Sequence, residues 1–178
     1  DKKNLKMGEK LKLKLKKFDK NYIHKTNYFE WLKDKEVTKF IYRNEFRKKI
    51  DYKKINNYLN QIQKSKNDFF FMICYDGIPI GTLKIGSIDW YGKTADIGIM
   101  IGEKSYWGKG IATLSIKLAK EYSKKKLHLR KLTSGTPIKN IGMIKAFKKN
   151  GFKMEGIRKK QLLIDNRYCD HILFGKFI

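Results

Sequence analysis

The chain is short of acid, histidine, cysteine and proline. Seventeen Asp and Glu stand against 42 Lys and Arg, giving a net charge of +25 over 178 residues, with 3 His, 2 Cys and 2 Pro. Cys74 and Cys169 make no disulfide framework, and with no C-x-x-C and with His24, His128 and His171 far apart, no metal-ligand spacing is present. A reducing cytoplasm is the expected compartment. No apolar run approaches membrane-spanning length and no signal-peptide core is visible, although the start at Asp1 leaves room for a removed leader. Arginine is scarce too, confined to positions 43, 47, 130, 158 and 167. The cations are mostly lysines spread along the chain, whereas arginine is favoured for planar recognition of phosphates and bases. The charge therefore reads first as compositional bias, and no specific nucleic-acid partner is expected.

What is present supports a real core: 41% hydrophobic and 13% aromatic residues argue against disorder despite 33% charged residues. The length fits one domain, 1–178, with no repeats and no linker. Leu11, Leu13 and Leu15 alternate with lysines as in a half-buried first strand. Helical pieces are expected over Tyr28–Phe40 and Tyr52–Ser65, the latter carrying Ile55, Leu59 and Ile62. Strands follow over Phe69–Tyr75 and Ile78–Ile88, joined by the hairpin dipeptide Asp76-Gly77, then over Thr94–Ile101. Arg130–Gly135 reads as another strand, with Pro137 disfavouring its continuation as a central ladder. A helix starts at Asn140, and two strands, Lys153–Leu163 and Tyr168–Phe177, meet at Asp165-Asn166. The fold expected is α/β, a mixed sheet with a β-α-β element at its centre.

The most informative segment is Gly102–Ala112, GEKSYWGKGIA, lying between the apolar strand ending at Ile101 and a helix on which Ile111, Leu114, Leu118 and Tyr122 recur. Gly108 and Gly110 permit conformations and close approach that a Cβ would block, and they open onto the positive end of a helix dipole. Such a turn suits a pyrophosphate. It is neither a Walker loop, lacking Gly-Lys-Ser/Thr, nor a Rossmann fingerprint, since Thr113 stands where a third glycine belongs.

Trp107-Gly108-Lys109-Gly110-Ile111-Ala112 resembles instead the acyl-CoA loop of the GNAT acetyltransferases, Arg/Gln-x-x-Gly-x-Gly/Ala, with Trp107 in the Arg/Gln position. Further matches are Trp31-Leu32-x-Asp34-x-Glu36-Val37, Asn140, Lys149-Asn150-Gly151-Phe152-Lys153-Met154-Glu155-Gly156, Arg158 and Asn166–Asp170. They are similar to the branch acting on ribosomal-protein N-termini and amino sugars. The resemblance covers roughly residues 10 to 178. It implies a mostly antiparallel sheet splayed at its centre and flanked by helices. It also implies acetyl-CoA as cosubstrate without a metal, no membrane partner, room for a homodimer, and a primary-amine acceptor: the N-terminal amine of a ribosomal protein, an amino-sugar nucleotide or a small polyamine, the last weakly disfavoured by the lysine-rich composition.

On this resemblance the pantetheine arm pairs with Ile99, Met100 and Ile101, and the pyrophosphate sits on Trp107, Gly108, Lys109, Gly110, Ile111 and Ala112. Asn140, Phe147 and Lys149 complete the cofactor side. A backbone N–H near Met100 is expected to polarise the thioester carbonyl. Asn140 suits two roles, a helix N-cap or a support for pantetheine and the active site. Asp96 is the best candidate to relay a proton, or else a partner for a lysine, and a register slip of one residue would turn it away. Glu155, Asp170 and His171 are weaker candidates. Phe147 occupies a position where many relatives carry a tyrosine acid, which phenylalanine cannot replace.

Deprotonating a lysine-like amine at pH 7 costs roughly 4–5 kcal/mol, an α-amine roughly 1.4, while positioning supplies roughly 7–11. Direct attack by an amine of low pKa, on a protein N-terminus or amino-sugar nucleotide, is therefore favoured over an acetyl-cysteine intermediate at Cys169. The reading from another class is a catalytically silent module binding RNA or the ribosome through its charge.

Overall fold

The computed structural model describes residues 12–41 and 50–178. Leu11 of the anticipated first strand, and Arg43 and Arg47, lie outside them. A seven-stranded sheet runs in the order β1-β2-β3-β4-β5-β7-β6. Its strands are β1 (Leu13–Lys17), β2 (Phe69–Tyr75), β3 (Ile78–Asp89), β4 (Thr94–Ile101), β5 (Lys131–Pro137), β6 (Lys153–Ile164) and β7 (Arg167–Phe177). All neighbours are antiparallel except β4 and β5. Helices α1 (Lys20–Ile23), α2 (Tyr28–Lys33), α3 (Lys35–Thr38) and α4 (Tyr52–Lys64) precede β2, α5 (Ile111–Leu127) links β4 to β5, and α6 (Ile141–Lys149) links β5 to β6.

Alternation along β2 divides the core. Phe71 and Ile73 join Leu83, Ile85, Ala95, Ile97 and Leu132 under α5 and α6. Phe70, Met72 and Cys74 join Trp31, Leu32, Ile55, Leu59 and Ile62 under α1 to α4. Both faces of β2 are thus covered, which explains why its sequence is continuously apolar. The hairpin at Asp76-Gly77 has both residues at positive φ, 47° and 82°, as does Asp165-Asn166 at 50° and 56°. This is the backbone a two-residue turn of the I′ kind demands.

Two boundaries differ from the sequence reading. The helical piece over 28–40 breaks at Asp34, whose carboxylate accepts from the backbone of Glu36 (2.9 Å) and Val37 (3.4 Å) and so starts α3 as α2 ends. β5 continues through Pro137, which lies opposite His171 of β7. Ile138 N–H bonds Asp170 O, so alternation turns the Pro137 nitrogen away from β7. β4 has already diverged on that side, and no ladder bond is lost.

Candidate active site

The parallel pairing of β4 and β5 lasts three residues, Thr94↔Lys131, Ala95↔Leu132 and Asp96↔Thr133, and then the strands separate. Side chains stitch the point of divergence. Thr133 Oγ1 donates to Asp96 Oδ1 at 3.0 Å, and Ser134 Oγ donates to Ile97 O at 2.7 Å. Beyond it the backbone of β4 faces a gap.

Alternation decides which groups face that gap. Met100 pairs with Thr82, and two residues on Gly102 N–H bonds Ile80 O at 2.9 Å, so the N–H of Met100 is turned toward β3. The groups facing the gap belong to Ile97, Ile99 and Ile101. The amide expected near Met100 is therefore that of Ile99 or Ile101, and Met100 itself contributes a buried side chain. One acceptor in the gap is already engaged: Trp107 Nε1 donates to Ile101 O at 2.9 Å. Trp107, in the Arg/Gln position, thereby ties the loop to the strand.

On one side of the gap lies a cavity of about 650 Å³. It is lined by Ile99 to Ile101, by Trp107, Gly108 and Gly110 to Ala112, and by Asn140 and Lys149. Gly108 and Gly110 adopt φ of 74° and 79°, a region that favours glycine. Gly110 caps α5 with no side-chain hydrogen bond, leaving the first N–H groups of a 17-residue helix without a side-chain acceptor at the cavity. Lys109, placed with the loop in the sequence reading, is not part of this lining; its ammonium lies 5.6 Å from the Tyr106 ring centroid.

On the other side is a cavity of about 310 Å³ bounded by Tyr28, Tyr58 and Phe70 and by Thr82, Lys84, Asp96 and Ser134. Ile99, Met100, Asn140 and Met143 line both cavities, so the two meet at the divergence of β4 and β5. Asn140 has the capping role, its Oδ1 accepting from Met143 N at 3.3 Å, and stands at the junction as well. Phe147 is 2% exposed, with ring centroids 5.4 Å from Phe174 and 5.1 Å from Phe152. It borders the smaller cavity and not the larger one in which it was expected.

Asp96 does face the smaller cavity. Its carboxyl stays open to solvent at the mouth, yet the surrounding walls strip enough water to push its pKa up to about 6, against the Thr133 hydroxyl and the Lys84 charge. Lys84 is paired with Asp68 at 2.8 Å and lies 5.9 Å from the Tyr58 ring centroid. Asp170 lies elsewhere, bonded to Lys160 N and Lys159 Nζ, and Glu155 is paired with Lys131. His171 packs against Gly135, with burial and the Arg158 charge pushing its pKa down. Cys74 and Cys169 are buried.

Sequence reasoning missed the clamp joining the two sides. Trp31 Nε1 and Asn27 Nδ2 both donate to Glu103 Oε1 at 2.9 Å, and Lys104 pairs with Asp34 (2.9 Å) and Glu36 (2.6 Å). The segment between β4 and the glycine loop is thereby fastened to α2 and α3. The motif Trp31-Leu32-x-Asp34-x-Glu36 held half of this signal, but its partners lie some seventy residues away.

A splayed sheet with a glycine-bracketed helix N-terminus at the gap defines an acetyltransferase fold. The acetyltransferase (GNAT) domain model matches residues 12–153, and the chain belongs to that family. It is 31% identical over 121 residues to the probable N-acetyltransferase YjcK of Bacillus subtilis, covering 67% of this chain and 66% of that protein. It is 31% identical over 102 residues to spermidine N(1)-acetyltransferase of Escherichia coli, covering 57% and 54%. The chain thus spans between about half and two thirds of these relatives. The structure of Vibrio cholerae spermidine N-acetyltransferase with CoA and spermine superposes with a TM-score of 0.81 at 18% identity, covering 94% of this chain and 96% of that one. RimL, a ribosomal L7/L12 alpha-N-protein acetyltransferase solved with CoA, gives 0.78 at 18% identity over 94% of each. At such identities these two structures speak for the fold. Among the described residues no helix is long and apolar enough to cross a membrane, and no group of His, Cys, Asp and Glu could hold a metal.

Proposed function

We propose that the chain transfers the acetyl group of acetyl-CoA to a primary amine by direct attack in a ternary complex. The observation that carries this reading is the shared wall. Ile99, Met100 and Asn140 border both cavities, so ligands entering from opposite sides meet at one opening. The larger cavity takes CoA, with the pyrophosphate at the free N–H groups of α5 and pantetheine along Ile99 and Ile101. Its thioester carbonyl then lies near an amide of β4 that donates to the developing oxyanion.

The acceptor enters the smaller cavity. Asp96, ionised above pH 6, takes the ammonium proton directly or through water and leaves the amine free to attack. The amine adds to the thioester carbonyl to give a tetrahedral oxyanion held by the β4 amide. The nitrogen loses its second proton to water, and the adduct collapses with cleavage of the C–S bond. The acetyl group ends on nitrogen and the CoA thiolate departs, to be protonated by solvent, since Phe147 has no proton to give.

The charges of the smaller cavity narrow the acceptor. Its described lining holds one carboxylate, Asp96, and one ammonium, Lys84. A polyamine brings several cations and, among the described residues, would meet a single acid and a like charge. A protein N-terminus or an amino-sugar nucleotide brings one amine, and this is the acceptor class we favour. Sequence likeness to spermidine acetyltransferases favours the polyamine reading, so the deciding experiment is a panel. The protein is incubated with labelled acetyl-CoA and N-terminal peptides, amino-sugar nucleotides or spermidine, and transfer is followed by mass. Transfer to a peptide or amino sugar supports the assignment, and preferential transfer to spermidine overturns it.

A further inference from the structure

We propose that the end of the sheet opposite the larger cavity binds a single-stranded nucleic acid, with RNA as the strand tested, through exposed aromatic faces set among cations. Between Glu121 and Glu155 the chain contains no Asp or Glu, and this stretch opens with Lys124, Lys125, Lys126, His128, Arg130 and Lys131. Along the sequence these residues pass as part of a scattered lysine excess. In the fold they lie at the C-terminal end of α5 and the start of β5, next to the β3–β4 turn. Arg130 N–H bonds Lys93 O at 2.8 Å, and its Nε bonds Gly92 O at 2.8 Å.

That turn carries the aromatics. Tyr91 is 100% exposed and Trp90 is 45% exposed, the latter held by a bond from its Nε1 to Asn67 Oδ1 at 2.8 Å. Phe177, at the end of β7, lies 5.7 Å from the Arg130 guanidinium and 5.2 Å from the Lys131 ammonium, measured to the ring centroid. The row crosses the ends of β3, β4, β5 and β7. α5 has 17 residues, so about 25 Å separates this row from the Gly110 loop.

Two of the acids nearby are engaged, the second by a cation of the patch itself, so the charge offered to a ligand rests on Lys93, Lys124, Lys125, Lys126 and Arg130. Asp89 accepts from the backbone of Tyr91 (3.0 Å) and Gly92 (2.9 Å), and Glu155 is paired with Lys131 at 2.8 Å. Lysines in a last helical turn are stabilised by the helix dipole alone. That accounts for Lys124 to Lys126, and the bond to Gly92 O holds Arg130, with Lys93 set two residues from a fully exposed tyrosine.

Cations that follow a backbone, interleaved with π-faces on which bases stack, are the components of sequence-tolerant single-strand binding. A duplex keeps its bases stacked and offers nothing to Tyr91. An acidic peptide would use the cations and leave the aromatics idle. A single strand, with its phosphates and unstacked bases, uses both, and the site is independent of the acetyl-transfer reading.

The test is fluorescence anisotropy with a labelled 12-nucleotide oligouridylate and the full chain over a salt series. Binding is expected to weaken steeply with salt, the logarithm of affinity falling against the logarithm of salt with a slope of about 0.7 for each phosphate neutralised. Tyr91→Ala should weaken it roughly tenfold, since a stacked base is lost. Replacing Lys124, Lys125 and Lys126 together by Gln should flatten the salt slope by about 2. Trp90 emission should be quenched by the RNA, a signal absent in Trp90→Phe. Acetyl-CoA should not displace the RNA, and each variant should melt like the parent protein. The proposal is overturned by no binding at low salt, by equal affinity for duplex or polyglutamate, by displacement with acetyl-CoA, or by an unaltered Tyr91→Ala variant.

Discussion

The indole of Trp31 occupies the space into which Gly102 would project a side chain. Only a bare α-carbon lets α2 come this close to the end of β4, and the bond from Trp31 Nε1 to Glu103 fixes the approach. Trp31 is 4% exposed, so there is little slack for it to retreat. Gly102→Ala should destabilise the protein by about 1–3 kcal/mol as an overpacked site, read by urea denaturation. It should also raise the KM for acetyl-CoA, because the glycine loop follows directly. An unchanged midpoint and KM would show that the indole yields freely.

Asp96 gives a pH signature. Its pKa is raised to about 6 in the fold against an ordinary 3.8, so the carboxylate forms only as pH rises through about 6. A base is needed ionised, so kcat/KM should climb with pH through an apparent pKa near 6, apart from any limb belonging to the acceptor amine. Stability runs the opposite way: the raised pKa favours the folded state below pH 3.8, and that contribution is lost as pH passes 6. Thr133→Val removes a bond that holds the carboxylate and should move the activity limb upward. Asp96→Asn should abolish it and lower kcat by roughly 10²–10⁴. A profile flat from pH 5 to 7 in the parent protein would remove Asp96 from the mechanism.

The sheet was legible wherever local chemistry determines it. The hairpins at Asp76-Gly77 and Asp165-Asn166, the buried β2, and Ile55, Leu59 and Ile62 on one face of α4 all follow from turn residues and periodicity. The break at Asp34 was not legible, because it depends on a carboxylate choosing to cap rather than face solvent. The glycine loop was visible in its turn residues, and Asp96 was singled out through the family resemblance, but the face of β4 it occupies depends on the pairing of Asp96 with Gly86, which the sequence does not state. Which amide near Met100 faces the gap was not legible, since which face of a strand donates is set by its pairing partner. The clamp from Trp31 to Glu103 joins residues distant in sequence, and nothing in either segment names the other.

Phe147 is packed as a core residue in this chain. Its ring contacts with Phe174 and Phe152 and its 2% exposure predict that Phe147→Ala costs about 3–5 kcal/mol in urea denaturation. A loss of activity without loss of stability would instead place the ring in the chemistry.

Cys169 is buried in an apolar cluster with Leu162 and Ile164. Cys169→Ser should leave kcat within a few-fold, and initial-rate plots should intersect as for a ternary complex. Parallel lines, with acetylated Cys169 found by mass, would reinstate a covalent intermediate.

The central claim is that the cavity at the start of α5 takes acetyl-CoA, and calorimetric titration of the parent protein and of Gly110→Glu measures it most directly. One binding site in the parent, with affinity reduced at least tenfold in the variant, is the predicted result. No binding to the parent, or equal binding to both proteins, would contradict the placement of the pyrophosphate at Gly110 and the ternary complex built on it.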